Sequence, residues 1–172
     1  MQTTSQIPTS APSVPTSVSQ LPPAALDLAT KLFDYARQGH TSELSTYVNA
    51  GIPPNMTNHA GDTLLMLAAY HGHADTVRML LARGADPDAL NDRGQSPVAG
   101  AVFKGHDEVV RLLVEGVEMG ADGRRSKRAD VYAGQPNAVD SARMFKKEEY
   151  LRVFGAEDAP VPGRIDRPQG GA

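Results

Sequence analysis

Apolar residues along this chain recur at helical spacing in short runs, and glycine closes each run before the next begins. Leu64, Leu65, Leu67 and Ala68 share a helical face, Gly72 follows, and Val77, Leu80 and Leu81 then line a second face with Asp75, Arg78 and Arg83 on its wet side. The spacing predicts a first helix that opens at Thr63, whose hydroxyl can cap the free N–H groups, and that ends when Gly72 turns left-handed. A second helix is predicted from about Ala74 to Ala82; Gly84 stops it, and Ala85-Asp86-Pro87 leads into a turn that reaches Gly94. The same sentence is then written again. A shift of 33 residues carries Gly61 onto Gly94, Ala69 onto Val102, Gly72-His73 onto Gly105-His106, Val77 onto Val110 and Leu80 onto Leu113. The reverse shift finds Ala36, Gly39-His40, Leu44, Tyr47-Val48 and Gly51. Matched apolar, glycine and histidine positions at one period indicate a stack of repeats.

The flanks keep the pattern and alter it. Ala24, Ala25, Leu28, Ala29, Leu32 and Ala36 predict an amphipathic helix with Pro22 or Pro23 at its mouth. Its outer positions hold Asp27, Lys31, Asp34 and Arg37, as a terminal repeat requires when one face has no neighbour. After Leu113 the period breaks. Gly-Ala-Asp stands at 84–86 and again at 120–122, a shift of 36 instead of 33, so three residues have been inserted. Residues 114–119 are therefore expected to lengthen the helix end or to bulge. Gly123-Arg124-Arg125-Ser126-Lys127-Arg128 takes the place of a tight turn as a basic loop. Beyond it, Pro136 to Phe145 and Glu148 to Phe154 read as a worn helix pair. Lys146, Lys147, Glu148, Glu149 and Arg152 keep its terminal face polar.

A 33-residue unit of a turn, two short helices and a glycine-punctuated loop is similar to the ankyrin repeat, whose opening pattern is T-P-L-H-x-A. Thr63-Leu64-Leu65-Met66-Leu67-Ala68 and Ser96-Pro97-Val98-Ala99-Gly100-Ala101 carry the resemblance; one lacks the proline and both lack the histidine. It implies an all-α solenoid with units at Ala25 to Thr57, Asn58 to Leu90 and Asn91 to Asp122, and a degenerate fourth from about Ala129 to Gly155. The resulting division is an arm at 1–23, a repeat domain at 24–155 with the basic insertion around 115–130, and a loose tail at 156–172. The resemblance also implies a partner-facing surface made of turn tips and the residues just before each mid-repeat glycine. Residue by residue these are Arg37 and Gln38; His59, Asp62, Tyr70 and His71; and Arg93, Gln95, Phe103 and Lys104.

Composition narrows the remaining classes. Net charge is −3, hydrophobic residues make up 40% and there is no cysteine, so disulfides, thiolate metal sites and cysteine nucleophiles are excluded. Met1 to Pro23 carries no charge and is dense in Ser, Thr, Pro and Gln, which predicts a disordered arm. It has neither the basic start and apolar core of a secretory signal nor the arginines of a presequence. No apolar run approaches the ~20 residues that span a bilayer.

Three patterns invite chemistry. His40, His73 and His106 recur at the repeat period directly after glycine, so a shared structural task, bonding backbone at the mouth of each second helix, explains them better than a metal site. Asp86 to Asp92 resembles a calcium loop but lacks the distal glutamate, and Asn55 and Asn58 in the preceding turn point to side chains that bond local backbone. Arg124, Arg125, Lys127 and Arg128 fit either a solvated loop or a nuclear-import signal; nucleic-acid binding is disfavoured because the chain is acidic and no stacking aromatics flank the run. No nucleotide loop or serine elbow occurs, and an open repeat groove offers no obvious deep pocket in which to perturb a pKa.

The expectation is thus a non-enzymatic adaptor that binds another protein across a concave surface, with no catalytic, cofactor or metal residues. It is expected to be monomeric and cytoplasmic, with the nucleus open, and to contact neither nucleic acid nor membrane. An assembly factor for a larger complex and a nuclear regulator using the basic loop are the other classes kept in view.

Overall fold

Proline at a first helical position costs no hydrogen bond, and the chain's first helix, α1 (Pro23–Gln38), opens on one. The computed structural model describes residues 23–120 and 123–157; the expected arm at 1–22 and the tail from 158 onward lie outside them. The order continues α2 (Thr41–Asn49), α3 (Leu64–His71), α4 (Ala74–Ala82), α5 (Pro97–Lys104) and α6 (Asp107–Glu115). A short hairpin of β1 (Glu118–Met119) and β2 (Arg124–Arg125) follows, then α7 (Ala138–Met144) and α8 (Glu148–Phe154). The odd-numbered helices pack in succession as one layer, α1 on α3 on α5 on α7. The even-numbered helices α2, α4 and α6 form the layer behind, and each pair packs on itself.

Local chemistry sets each boundary. Thr63 Oγ1 accepts the Met66 N–H at 3.1 Å and Ser96 Oγ the Ala99 N–H at 3.3 Å, capping α3 and α5. Gly72 ends α3 at φ 82. Helix α3 is apolar nearly all round and Leu64 to Ala69 are all buried, as a helix with neighbours on every side must be. Leu32, Leu44, Leu65, Leu80, Val102 and Leu113 are fully enclosed and join the units into one core. Asp75, Arg78 and Arg83 are exposed.

Three details differ from expectation, each for a physical reason. The inserted residues do not lengthen α6, which has nine residues like α2 and α4. Instead Gly116 closes it, and Glu118 and Met119 pair antiparallel with Arg125 and Arg124, so an all-α stack carries one small β element. The fourth unit's first helix begins at Ala138 and not at Pro136, because Asn137 caps it by accepting the Asp140 N–H at 2.8 Å. Ala156, placed at the start of the loose tail, is buried and donates its N–H to the Leu151 carbonyl at 2.8 Å.

The basic insertion is folded back on the stack. Ser126 N–H donates to the Val117 carbonyl at 2.7 Å, and Arg125 donates to the Gly116 carbonyl at 2.7 Å. Lys127 reaches two carboxylates of an earlier turn, Asp86 at 2.8 Å and Asp88 at 3.0 Å. Those bonds hold the Lys127 ammonium above the usual lysine range and, through the same lysine, hold the Asp86 carboxyl below the usual aspartate range. The Asp86 half of this clamp therefore acts above the ordinary aspartate pKa and is lost as pH falls through the lowered one. Lys127→Ala should speed hydrogen exchange at the Ser126 and Ala129 amides while leaving the melting temperature almost unchanged, because an exposed pair contributes little globally. Unaltered exchange at both amides would show that the hairpin holds itself.

Candidate protein-binding groove

The turns that rim the inner layer are built by buried asparagines. Asn58 Oδ1 accepts the Ala60 and Asp62 N–H groups, each at 2.9 Å, and Asn91 Oδ1 accepts those of Arg93 at 3.1 Å and Gln95 at 2.9 Å. Adjacent turns are tied together as well: Asn91 Nδ2 donates to Asp62 Oδ1 at 2.8 Å, and Asp92 N–H to the Ala60 carbonyl at 3.1 Å. The acidic turn is thus held by backbone bonds, as expected. Asn55 departs from this pattern by bonding the next unit, accepting the Asp86 N–H at 2.7 Å. Among the described residues no cluster of three or more metal-ligating side chains forms.

The repeated histidines sit where the period put them, directly before α2, α4 and α6, but their bonds run to a neighbour. His73 Nε2 lies 2.6 Å from the Arg37 carbonyl and His106 Nε2 3.1 Å from the Tyr70 carbonyl, so each ring ties its unit to the last turn of the preceding first helix. The first unit has no predecessor, and His40 faces Glu43 at 3.7 Å instead. The fourth unit replaces Gly-His by Lys146-Lys147. Lys146 takes the left-handed conformation at φ 54 and Lys147 precedes α8. Tyr150 holds α8 to the start of α6, its hydroxyl donating to the Asp107 carboxylate. Burial first, and then that carboxylate, raise the hydroxyl's pKa above the ordinary tyrosine value.

Where the odd-numbered helices end, their side chains line up across the stack. Tyr70 at the end of α3 and Phe103 at the end of α5 stack at 6.4 Å and 20°, and Phe103 meets Phe145 edge-on at 5.0 Å and 68°. All three rings are substantially exposed, Tyr70 at 39%, Phe103 at 48% and Phe145 at 42%. Offset-stacked and edge-to-face pairs are the geometries aromatic quadrupoles favour. Lys104 Nζ lies 5.2 Å above the Tyr70 ring, within cation–π reach.

The strip floors a groove of about 450 Å³ between the turns and the helix ends. This is deeper than an open repeat face was expected to be, because Met144 and Phe145 at the end of α7 wall it on one side. Of the ten residues assigned to the partner surface, Asp62, Tyr70, His71, Arg93, Gln95 and Phe103 line it. Lys104 overlies the Tyr70 ring. Arg37, Gln38 and His59 are not part of the lining; Arg37 pairs with Asp34 at 2.7 Å. Burial, then the charges of His73 and Arg37, lower the His71 pKa, so its imidazole stands neutral at pH 7. Met144 and Phe145 were missed because the fourth unit has no mid-repeat glycine to mark the place. Matching Lys146-Lys147 to the Gly-His pairs would have put Met144 at the Tyr70 position and Phe145 at that of His71.

The family model for ankyrin repeats in three copies matches residues 32–124, more than half of the chain. The chain belongs to the ankyrin repeat family. It is 55% identical over 55 residues to an ankyrin repeat protein of Pseudomonas aeruginosa, a match that covers 29% of this chain and 32% of that protein. The chain thus spans about a third of that relative's length. Ankyrin repeats generally mediate protein–protein interaction, and the family is typically non-enzymatic. No described helix of this ankyrin repeat protein is long and apolar enough to cross a membrane.

Proposed function

We propose that this protein is an adaptor that captures a segment of another protein in the groove between its turns and its first-helix ends. The observation that carries this reading is the continuous ladder of half-exposed rings, Tyr70 on Phe103 on Phe145. A single exposed aromatic is ordinary surface; three rings in successive contact across three units, rimmed by polar turns, match the apolar centre and polar rim of a protein interface. Arg93 and Lys104 are exposed at its edge and have no carboxylate partner among the described residues, so the groove favours a segment with apolar anchors and acidic flanks.

Tyr70→Ala with Phe103→Ala tests the assignment. Truncating an interface anchor typically removes about 2 kcal/mol or more, a loss of roughly thirtyfold in affinity. The double variant should therefore drop proximity-labelled partners that wild type retains, with helix content unchanged. The control, Asp75→Ala with Arg78→Ala, alters the even-numbered layer and breaks only the exposed Arg78 to Glu108 pair at 3.3 Å. Capture that survives the aromatic change and fails in the control would move the interface to the other face.

A further inference from the structure

We infer that the groove recognises one bulky apolar side chain within an acidic segment of its partner, and that Gly100 is the residue that admits it. The inference rests on the groove proposed above as the capture site and adds what its floor selects. Gly100 lies inside α5, is half-buried and lines the groove. After proline, glycine is the residue a helix interior tolerates least, because its backbone has the most freedom to lose on folding. Its presence there calls for a compensating need. At Gly72 that need is visible, since the backbone is left-handed and a Cβ would stand 2.7 Å from the His106 ring. Gly100 has neither reason. Its backbone is helical, and a Cβ there would meet only the Tyr70 side chain, at 3.4 and 4.0 Å, which are ordinary contact distances. The fold would accept alanine at this place, so the gap serves what fills the groove.

The repeat shows how the gap is shaped. The 33-residue shift sets Gly100 level with Leu67 on α3, and the match of Lys146-Lys147 to Gly105-His106 sets it level with Ser141 on α7; both of these also line the groove. Helix α5 packs between α3 and α7, so the floor steps down at the middle helix, with Tyr70 and Phe103 about one turn further along their own helices. A side chain of leucine or phenylalanine size can seat in that step. Charge selects what surrounds it. Arg93 before α5 and Lys104 at its end are exposed and have no carboxylate partner among the described residues. The groove's own carboxylate, Asp62, is already taken, accepting from Asn91 Nδ2 at 2.8 Å and from Asn58 Nδ2 at 3.3 Å. A segment with carboxylates on either side of its apolar residue answers both cations.

Random peptides displayed on phage and panned on the full-length protein supply the probe; an enriched peptide is then made with a fluorophore and its affinity measured by anisotropy. The enriched sequences should carry a large apolar residue between aspartates or glutamates. Gly100→Ala should raise the melting temperature by about 2 to 4 °C, because alanine is the better helix former. It should nevertheless weaken the peptide roughly tenfold by filling the step. That loss should belong to the anchor: once the peptide's apolar residue is cut back to alanine, wild type and Gly100→Ala should bind it alike. Arg93→Ala with Lys104→Ala should slow association and flatten its dependence on salt. Affinity unchanged by Gly100→Ala, a loss that persists with the truncated peptide, or enriched sequences that are basic or lack a large apolar residue would each overturn the inference. Peptides that ignore Gly100→Ala but are lost to Tyr70→Ala with Phe103→Ala would leave the groove standing as the capture site without the step. Peptides indifferent to both changes would remove the groove as well, so the two readings fail separately.

Discussion

Leu80→Ala is expected to lower stability by about 2 to 5 kcal/mol, the range for removing a buried leucine from a core that cannot collapse around the space. Leu80 is fully buried on α4, which contacts α2 on one side and α6 on the other as well as α3 beneath. In a repeat stack the stability is a sum of unit terms and neighbour interfaces, so a loss in the second unit weakens both junctions it shares. At about 3 °C per kcal/mol for a domain of this size, the melting temperature should fall by roughly 6 to 15 °C. Thermal unfolding followed by circular dichroism reads this directly. A fall no larger than that of Asp75→Ala, which touches only the wet side of the same helix, would mean that α4 is not where the units are joined.

Gly72→Ala should be the next most damaging change, at about 2 to 3 kcal/mol, although it adds only a methyl group. Two costs combine. The residue sits at φ 82, where a side chain costs about 1 to 2 kcal/mol. A Cβ there would also stand 2.7 Å from the His106 ring, forcing it off the Tyr70 carbonyl and forfeiting a hydrogen bond of about 1 kcal/mol. The second cost belongs to the histidine, so it vanishes when the histidine is gone. In a double-mutant cycle Gly72→Ala should therefore be cheaper in a His106→Ala background than alone. Strict additivity would show that the ring accommodates the methyl and that only the backbone conformation matters. A Cβ at Gly39 would likewise stand 2.5 Å from the His73 ring, which explains why a glycine in one unit goes with a histidine in the next.

Helix positions were legible because each helix buries one stripe against neighbours at a fixed spacing, and Thr63, Ser96 and Gly72 mark ends by local bonds that sequence displays. Burial of Leu64 through Ala69 and exposure of Asp75, Arg78 and Arg83 follow from the same periodicity. What stayed hidden depends on contacts between units. The histidine rings were expected to bond backbone at the mouth of their own helices, yet the free carbonyls nearest them belong to Arg37 and Tyr70 one unit earlier. The basic run looked like solvated charge, because nothing along the chain reveals that Asp86 and Asp88 lie forty residues back in sequence and within 3.0 Å in space. Tyr70 and Phe103 could be placed by their distance to glycine. Phe145 could not, since Lys146 adopts the glycine's backbone conformation without being glycine.

The hairpin also says where this molecule tolerates a change of length. The stack is closed across its neck, where Ala129 N–H meets the Leu113 carbonyl at 2.8 Å, Ser126 N–H meets that of Val117 and Lys127 grips the earlier turn. These bonds fix the path from α6 towards α7 on the stack's side of the hairpin. Helix α6 keeps nine residues and Glu118 and Met119 pair with Arg125 and Arg124, so this unit's extra length lies outside its helices. For an engineer, the hairpin is a port into which a tag, a reporter or a second binding loop can be spliced while the helices on either side keep their lengths.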